Sequence, residues 1–150
     1  MRKVVLTSIA VAAVGLLAAG CGGHNRHAAT AAKRPTLPRI HEGFTVLPCP
    51  PTPSTTVAME GCAEHRILRT DAGIERRARA IFAFLRPKAR GSFTSAERAW
   101  LAYRKAVCTV ESFKYEGGSA EPLVFADCVA SQNARHLTEL ASLERYLRSA

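Results

Sequence analysis

The stretch ERAWLAYRKAVC, residues 97–108, decides how this sequence is interpreted. It places Trp100, Arg104 and Cys108 at successive intervals of four residues, with Tyr103 beside them. In a helix these four side chains share one broad face, because residues three and four apart lie on the same side. Such a face fits a reactive site, a seam of the core or the signature of a family, and the rest of the chain has to decide among them.

The N-terminus has the layout of an export signal. Arg2 and Lys3 are followed by an apolar run over residues 4–19 and then by small residues that lead to Cys21. The run is too short, and ends too abruptly, for a permanent membrane span. LLAAGC resembles a bacterial lipobox, in which the cysteine is lipidated and becomes the first mature residue. We therefore predict a lipoprotein signal peptide over residues 1–20 and a lipid anchor on Cys21, with secretion after cleavage nearby as the alternative.

The formal net charge of +9 bounds the possible partners. The positive charge is less dense than in a nucleic-acid binder, and an exported protein rarely meets nucleic acid. A basic surface outside the cytoplasm favours acidic proteins, anionic lipid headgroups or anionic wall polymers. The sequence has no paired-carboxylate motif, phosphate loop, nucleophile elbow or metal signature. His65 and His136 are isolated and are expected at the surface or its boundary, so we predict no catalysis, cofactor or metal.

Residues 21–54 predict a flexible tether. Six of the eight prolines lie between residues 35 and 53, and the segment has no sustained apolar period. A chain of this composition stays largely extended or disordered. The tether would hold the following domain away from its anchor.

Residues 55–150 predict an all-α domain, a small antiparallel bundle of three helices. The first helix is expected to begin near Ser54 or Thr55 and to end before Pro87, because apolar residues recur there at helical spacing. The most positive segment of the chain, residues 66–90, begins in this helix and contains eight Arg or Lys against two acids.

The boundaries of the second and third helices follow from local signals. Gly-Ser at 91–92 indicates a turn, and Thr94 with Glu97 fits a capping box that would start the second helix. That helix is expected to run to about Tyr115. Pro122 suits the first turn of the third helix.

Four cysteines lie beyond Cys21: Cys49, Cys62, Cys108 and Cys128. An even number in an exported domain indicates two disulfides. Cys108 and Cys128 are each ten residues from Gly118, so a helical hairpin that turns at the glycines brings them level. We predict Cys108–Cys128 and Cys49–Cys62, the second fastening the tether to the first helix. A zinc site is the alternative, but no CxxC or HxxxH accompanies these residues.

If Cys108 is part of a disulfide, the other side chains of residues 97–108 are expected to stabilise the fold and not to form a reactive site. Trp100 and Tyr103 are expected in the core, because a small bundle needs large apolar area. Arg104 on a half-buried face needs a partner. Asp71 lies within the apolar stripe of the first helix, so we predict an Asp71–Arg104 ion pair between helices.

Several motifs follow one another along the domain in a recognisable order. They are M-x-x-C-A at 59–63, Asp71, W-L-x-Y-R-x-x-x-C at 100–108, GGS at 117–119, Cys128 and Arg135. This order resembles the domain of the LprI-type lysozyme inhibitors, small exported bacterial proteins that are often lipoproteins. The resemblance covers about residues 49–147 and implies a helical, disulfide-bonded domain that inhibits lysozyme. The family pattern has Asp-x-x-Leu-Asn followed by a tyrosine three residues later. This sequence keeps the aspartate as Asp71 but has Ile74, Glu75 and Ala78 at the other three positions.

The resemblance implies lysozyme as the partner. A lysozyme cleft contains two catalytic carboxyl groups, and a rigid protrusion with a cation could occlude it without any chemistry. The GGS connection is the candidate protrusion, although glycines there also fit a simple tight connection between helices. The candidate contacts are Lys114, Tyr115, Gly117, Gly118 and Ser119.

The basic first helix supports an alternative function. Arg69, Arg76, Arg79 and Arg86 leave the apolar stripe and are expected to coat a solvated face. That face could hold the domain against anionic lipid or wall polymer, as an envelope-binding module that does not inhibit lysozyme. In either case we expect an exported, lipid-anchored protein. Gly22 after the lipidated position favours the outer membrane where the cell has one, and otherwise the outer face of the plasma membrane.

Overall fold

The computed structural model describes residues 34–149, and within this range the chain forms three α-helices, one short 3₁₀ helix and no strand. The helices are α1 (Thr56–Phe84), α2 (Pro87–Ser112), the 3₁₀ turn (Phe113–Tyr115) and α3 (Glu121–Ser149). The predicted all-α fold of three helices is confirmed. No helix of the described part is both long and apolar enough to cross a bilayer. The predictions for the signal peptide and for Cys21 lie outside the described residues.

Ion pairs show how the helices are arranged. Arg66 binds Asp127 and Arg77 binds Glu144, so α1 and α3 run side by side in the same direction. α2 follows α1 after only two connecting residues and runs in the opposite direction to both. Chain neighbours are therefore antiparallel, as predicted.

α1 begins where the sequence predicts. The side chain of Thr55 accepts a hydrogen bond from the N–H of Ala58 at 3.1 Å, which caps the first turn. The helix ends at Phe84, and the N–H of Leu85 still donates to the carbonyl of Ile81.

The predicted start of α2 is wrong. The helix begins at Pro87, and Gly91 and Ser92 are inside it instead of forming a turn. Proline is favoured at the first helical position because its missing N–H would have no partner there. Thr94 and Glu97 form no capping box, because the Thr94 hydroxyl has no hydrogen-bond partner among the described residues and Glu97 contacts His136.

The core consists of two apolar clusters along the bundle. The first surrounds a disulfide between α2 and α3 and contains Ala63, Ile67, Cys108, Ala126, Cys128, Val129 and Ala130. The second lies nearer the α1–α2 connection and contains Ile74, Ala78, Ile81, Phe93 and Leu140. Polar residues separate these clusters, which places a charged layer in the middle of the domain.

Both predicted disulfides are present. Cys108–Cys128 is buried and joins α2 to α3, and Cys49–Cys62 ties the N-terminal segment to α1. Their sequence separations are 20 and 13 residues, so each should stabilise the fold by about 3 kcal/mol on the chain-entropy account.

Residues 37–47, here called the strap, differ from the predicted flexible tether. They form no helix or strand, but Leu37, Ile40 and Phe44 pack against the two core clusters. The Ile40 N–H donates to Glu75 at 3.2 Å, and the Leu47 N–H donates to Glu64 at 2.7 Å. Apolar side chains spaced three and four residues apart anchor the strap, and helix carboxylates accept its backbone donors.

Candidate functional site

Residues 113–119, here called the tip, form the exposed connection between α2 and α3. The chain leaves α2 through the 3₁₀ turn, and the N–H of Gly118 donates to the carbonyl of Tyr115 at 2.9 Å. Gly117 has φ +75, a conformation in which a side chain is strained, so the turn requires glycine there. The Gly117 N–H also donates to Glu121 at 2.8 Å. These bonds give the tip a defined shape.

The tip displays one cation and two aromatic rings to solvent. The Lys114 ammonium lies 5.8 Å from the centre of the Tyr115 ring. Phe113 is 65% exposed and is absent from the sequence-derived candidates, although its position directly before Lys114 in an exposed connection was visible in the sequence. The five predicted contacts are all exposed and all lie in the tip: Lys114, Tyr115, Gly117, Gly118 and Ser119.

A buried polar cluster lies in the middle of the bundle around Arg104. Its Nη1 donates to Asp71 at 3.1 Å and to Asn133 at 2.8 Å, and its Nη2 donates to Glu42 at 2.7 Å. The Asn133 amide donates in turn to Asp71 at 2.8 Å. The expected Asp71–Arg104 pair is therefore present as one part of a larger cluster, which we call the Arg104 cluster.

The Arg104 cluster contains two carboxylates on one guanidinium. Burial raises the pKa of Asp71 to about 7, and the charge of Glu42 adds to the rise, while Arg104 and Asn133 oppose it. One oxygen of Asp71 has no hydrogen-bond partner among the described residues. Because it links α1, α2, α3 and the strap, the cluster is suited to holding the domain together.

Trp100 and Tyr103 occupy different environments. Trp100 is half-buried and stacks on the ring of His136 with centroids 3.9 Å apart. His136 is buried between Glu97 and Glu139, each at 3.3 Å, so its expected surface position is wrong. Tyr103 is 58% exposed, and its predicted core position is also wrong. Successive residues turn by about 100° around a helix, which directs Arg104 inward and Tyr103 outward.

A groove of about 890 Å³ lies between the strap and the helices. Its floor is apolar, with Ile67, Phe125 and Val129, and its walls include Arg104 and Lys105. Among residues 34–149, no group of three or more His, Cys, Asp or Glu could hold a metal ion.

A sequence model of the LprI family, described as lysozyme inhibitor LprI, matches residues 49–140. This chain belongs to the LprI family. The LprI match starts at the first cysteine of the Cys49–Cys62 disulfide and includes both disulfides, Arg104 with its helical partners, and the tip. It excludes the strap, so the contact between Glu42 and Arg104 extends beyond the part of this LprI chain that the family model matches.

Comparison with individual proteins adds one short match. The chain is 38% identical over 48 residues to an uncharacterized protein of Rhizobium meliloti (strain 1021), which corresponds to 32% of this chain and 34% of the relative. The chain thus spans about a third of the length of the curated relative that it matches. No solved structure matches the chain significantly.

Proposed function

We propose that this protein is an exported lipoprotein that binds lysozyme and inhibits it by occluding the active-site cleft, without catalysing a reaction. Membership of the LprI family supports lysozyme as the partner. The observation that carries the mechanism is the tip, an exposed turn of defined shape that presents Lys114 beside the Tyr115 ring, with Phe113 also exposed.

The chemistry of the tip suits a cleft that contains carboxylates. An ammonium group that enters such a cleft gains charge-assisted hydrogen bonds, which are stronger than those between neutral groups. Phe113 and Tyr115 offer apolar area of the type that dominates protein interfaces. The internal hydrogen bonds of Gly117 and Gly118 hold the turn before binding, which lowers the entropy lost on association.

The buried disulfide supports this function by stiffening the base of the tip. Cys108 is fully buried and lies one helical turn before the end of α2, and Cys128 joins it from α3. The two helices that carry the tip therefore cannot separate without breaking a covalent bond. Two disulfides also fit the oxidising conditions that an exported protein encounters.

The position of the protein in the cell belongs to the same proposal. A lipid on Cys21 would hold the domain at the outer membrane, or at the outer face of the plasma membrane in a cell that has one membrane. Either position would place the inhibitor next to the wall that lysozyme cuts.

The decisive experiment is a titration of lysozyme activity on purified cell walls with this chain. We expect inhibition at near-stoichiometric ratios, and loss of inhibition after the disulfides are reduced and alkylated. The matched control is reduced and alkylated protein added to lysozyme that the native chain already inhibits, where inhibition should persist. Full lysozyme activity at a large excess of native chain would contradict the proposal.

One observation favours the envelope-binding alternative. The four arginines predicted on a solvated face are all exposed: Arg69, Arg76 and Arg79 on α1, and Arg86 in the connection between α1 and α2. Such a face can attract anionic lipid at about 1 kcal/mol per basic residue near the surface. Sedimentation with anionic vesicles that is reversed by salt, together with unchanged lysozyme activity, would support this alternative.

A further inference from the structure

The side of α2 that faces away from the core is apolar along most of its length. Tyr103, Val110 and Phe113 are 58%, 75% and 65% exposed, respectively. Alanines that are also exposed lie between and before them on the same side of the helix. We call this surface the outer face of α2. It consists of Ala96, Ala99, Tyr103, Ala106 and Val110, together with Phe113, the first residue after the helix.

Two charged side chains of α2 near this surface, Arg98 and Lys105, lie away from the outer face. Arg98 turns toward the N-terminal segment, where its Nη2 donates to the carbonyl of Thr36 at 3.2 Å. Lys105 lines the groove beside the strap. A helix side that faces water normally carries polar residues, so a long apolar side marks a contact surface.

We propose that the outer face of α2 binds the same face of a second copy of this chain, with the two helices antiparallel. When two copies of the face meet in this antiparallel arrangement, each large side chain of one copy lies opposite an alanine of the other. A two-fold axis forms every contact twice. The three pairs are Tyr103 with Ala106, Val110 with Ala99 and Phe113 with Ala96.

The pattern favours a second copy over an unrelated partner. Binding to an unrelated surface would not require the large residues and the alanines of the outer face to be placed symmetrically about its midpoint. In a parallel pair, Tyr103 would meet Tyr103 and Phe113 would meet Phe113, which prevents close packing. Two molecules of net charge +9 repel each other, and an uncharged contact face avoids adding to that repulsion.

The size of the face indicates how strong the association is. It extends for about 25 Å along one helix, given a rise of 1.5 Å per residue. A single helix pair of this length buries less than the roughly 800 Å² per partner of a standard interface. The dimer is therefore reversible and depends on concentration, and confinement to a membrane would favour it.

The first test is sedimentation equilibrium of the purified chain over a range of micromolar concentrations. We expect the apparent mass to rise from that of one 16.2 kDa chain toward twice that value. Ala106→Glu should remain monomeric, because it puts a carboxylate opposite Tyr103 near the two-fold axis. The matched control, Ala134→Glu at an exposed position of α3, should associate like the unmodified chain. Tyr103→Ala removes the largest side chain without adding charge and should also remain monomeric.

Two outcomes would overturn the proposal. One is an unmodified chain that stays monomeric at every concentration, as it would if a different protein covers the face. The other is equal loss of association in Ala106→Glu and Ala134→Glu. Circular dichroism of each variant checks that the helices are retained. Phe113 belongs to both the tip and the outer face, so lysozyme inhibition by Ala106→Glu, a change outside the tip, is measured separately from association.

A cross-linking experiment tests the antiparallel direction. Ala99→Cys and Val110→Cys, which leave Tyr103 in place, are prepared separately, mixed and oxidised. We expect the mixture to give a cross-linked dimer that contains one of each variant, in excess over dimers of either variant alone. A predominance of Val110→Cys homodimers would indicate parallel pairing and would reject the arrangement proposed here.

Discussion

Arg104 and Glu42 are 62 residues apart in the chain, yet Nη2 of Arg104 lies 2.7 Å from Oε1 of Glu42. The same guanidinium donates to Asp71 on α1 and to Asn133 on α3. One side chain therefore connects the strap to all three helices. Because Arg104 is 7% exposed, little water is available to replace these partners.

Arg104→Lys should destabilise the domain although it keeps the charge. A lysine ammonium lacks the planar fork that donates to three partners at once, so at least one buried carboxylate loses its hydrogen bond. We expect the free energy of unfolding to fall by about 2 kcal/mol or more. Urea denaturation followed by circular dichroism measures the change. Arg145→Lys, at an exposed position of α3, is the control and should change stability by less than about 0.5 kcal/mol.

The stability of the domain should depend on the protonation of Asp71. Burial raises the pKa of this group from its usual 3.8 to about 7 in the folded state. Between about pH 4 and pH 7, the folded chain retains a proton that the unfolded chain has lost. Stability due to this group therefore decreases as pH rises through that window, by at most about 1.4 kcal/mol per pH unit, and is constant above it.

Asp71→Asn removes this contribution, so its stability should fall less steeply between pH 4 and pH 7 than that of the unmodified chain. Denaturation at several pH values provides the comparison. Asp127→Asn is the control, because Asp127 is an exposed carboxylate paired with Arg66. An identical pH dependence in the unmodified chain and in Asp71→Asn would contradict the assignment.

Two glycines in helices should respond to alanine in opposite ways. A Cβ on Gly61 would clash with the carbonyl oxygen of Pro48 and lie 3.0 Å from the Cβ of Leu47, so Gly61→Ala must push the N-terminal segment away. We expect a loss of about 1–3 kcal/mol. Gly91 has nothing within 4 Å of such a Cβ among the described residues, and Gly91→Ala should stabilise α2 by up to about 1 kcal/mol. Thermal melts of the two variants test both signs, and a stabilised Gly61→Ala would show that the segment does not pack against α1.

Substitutions in the tip should weaken lysozyme inhibition without unfolding the domain. Lys114→Ala removes the proposed cation and Tyr115→Ala removes a contact ring, and each should raise the concentration for half-inhibition about tenfold, which corresponds to about 1.4 kcal/mol. Tyr146→Ala is a matched control, because Tyr146 is 70% exposed on α3 and lies outside the tip. Equal inhibition by all three variants would exclude the tip as the contact surface.

Features that depend on a few neighbouring residues, or on the spacing of cysteines about a turn, could be predicted from the sequence. The equal spacing of Cys108 and Cys128 from Gly118 predicted their disulfide, because level positions on a hairpin are set by counting alone. The Thr55 cap was likewise readable. The predicted capping box at Thr94 was wrong, because α2 already begins at Pro87. Both sites carry local signals for a helix start, and the local sequence does not show which of the two is used.

The exposed and buried sides of α2 could not be separated from sequence. Both sides are rich in apolar residues, so periodicity did not show which of Trp100 and Tyr103 would face the core. Contacts across the bundle settle it: Arg104 and Cys108 bind partners on α3, and Tyr103 turns away from them.

The sequence by itself determined the helical class, the two disulfides and the family, because these depend on periodicity, on cysteine spacing and on short motifs. Only the tertiary structure decided that the strap lies on the bundle, that Glu42 shares Arg104 with Asp71, and that the outer face of α2 is exposed. These features join residues far apart in the chain, and their free energies depend on burial and distance, which no local pattern of residues encodes.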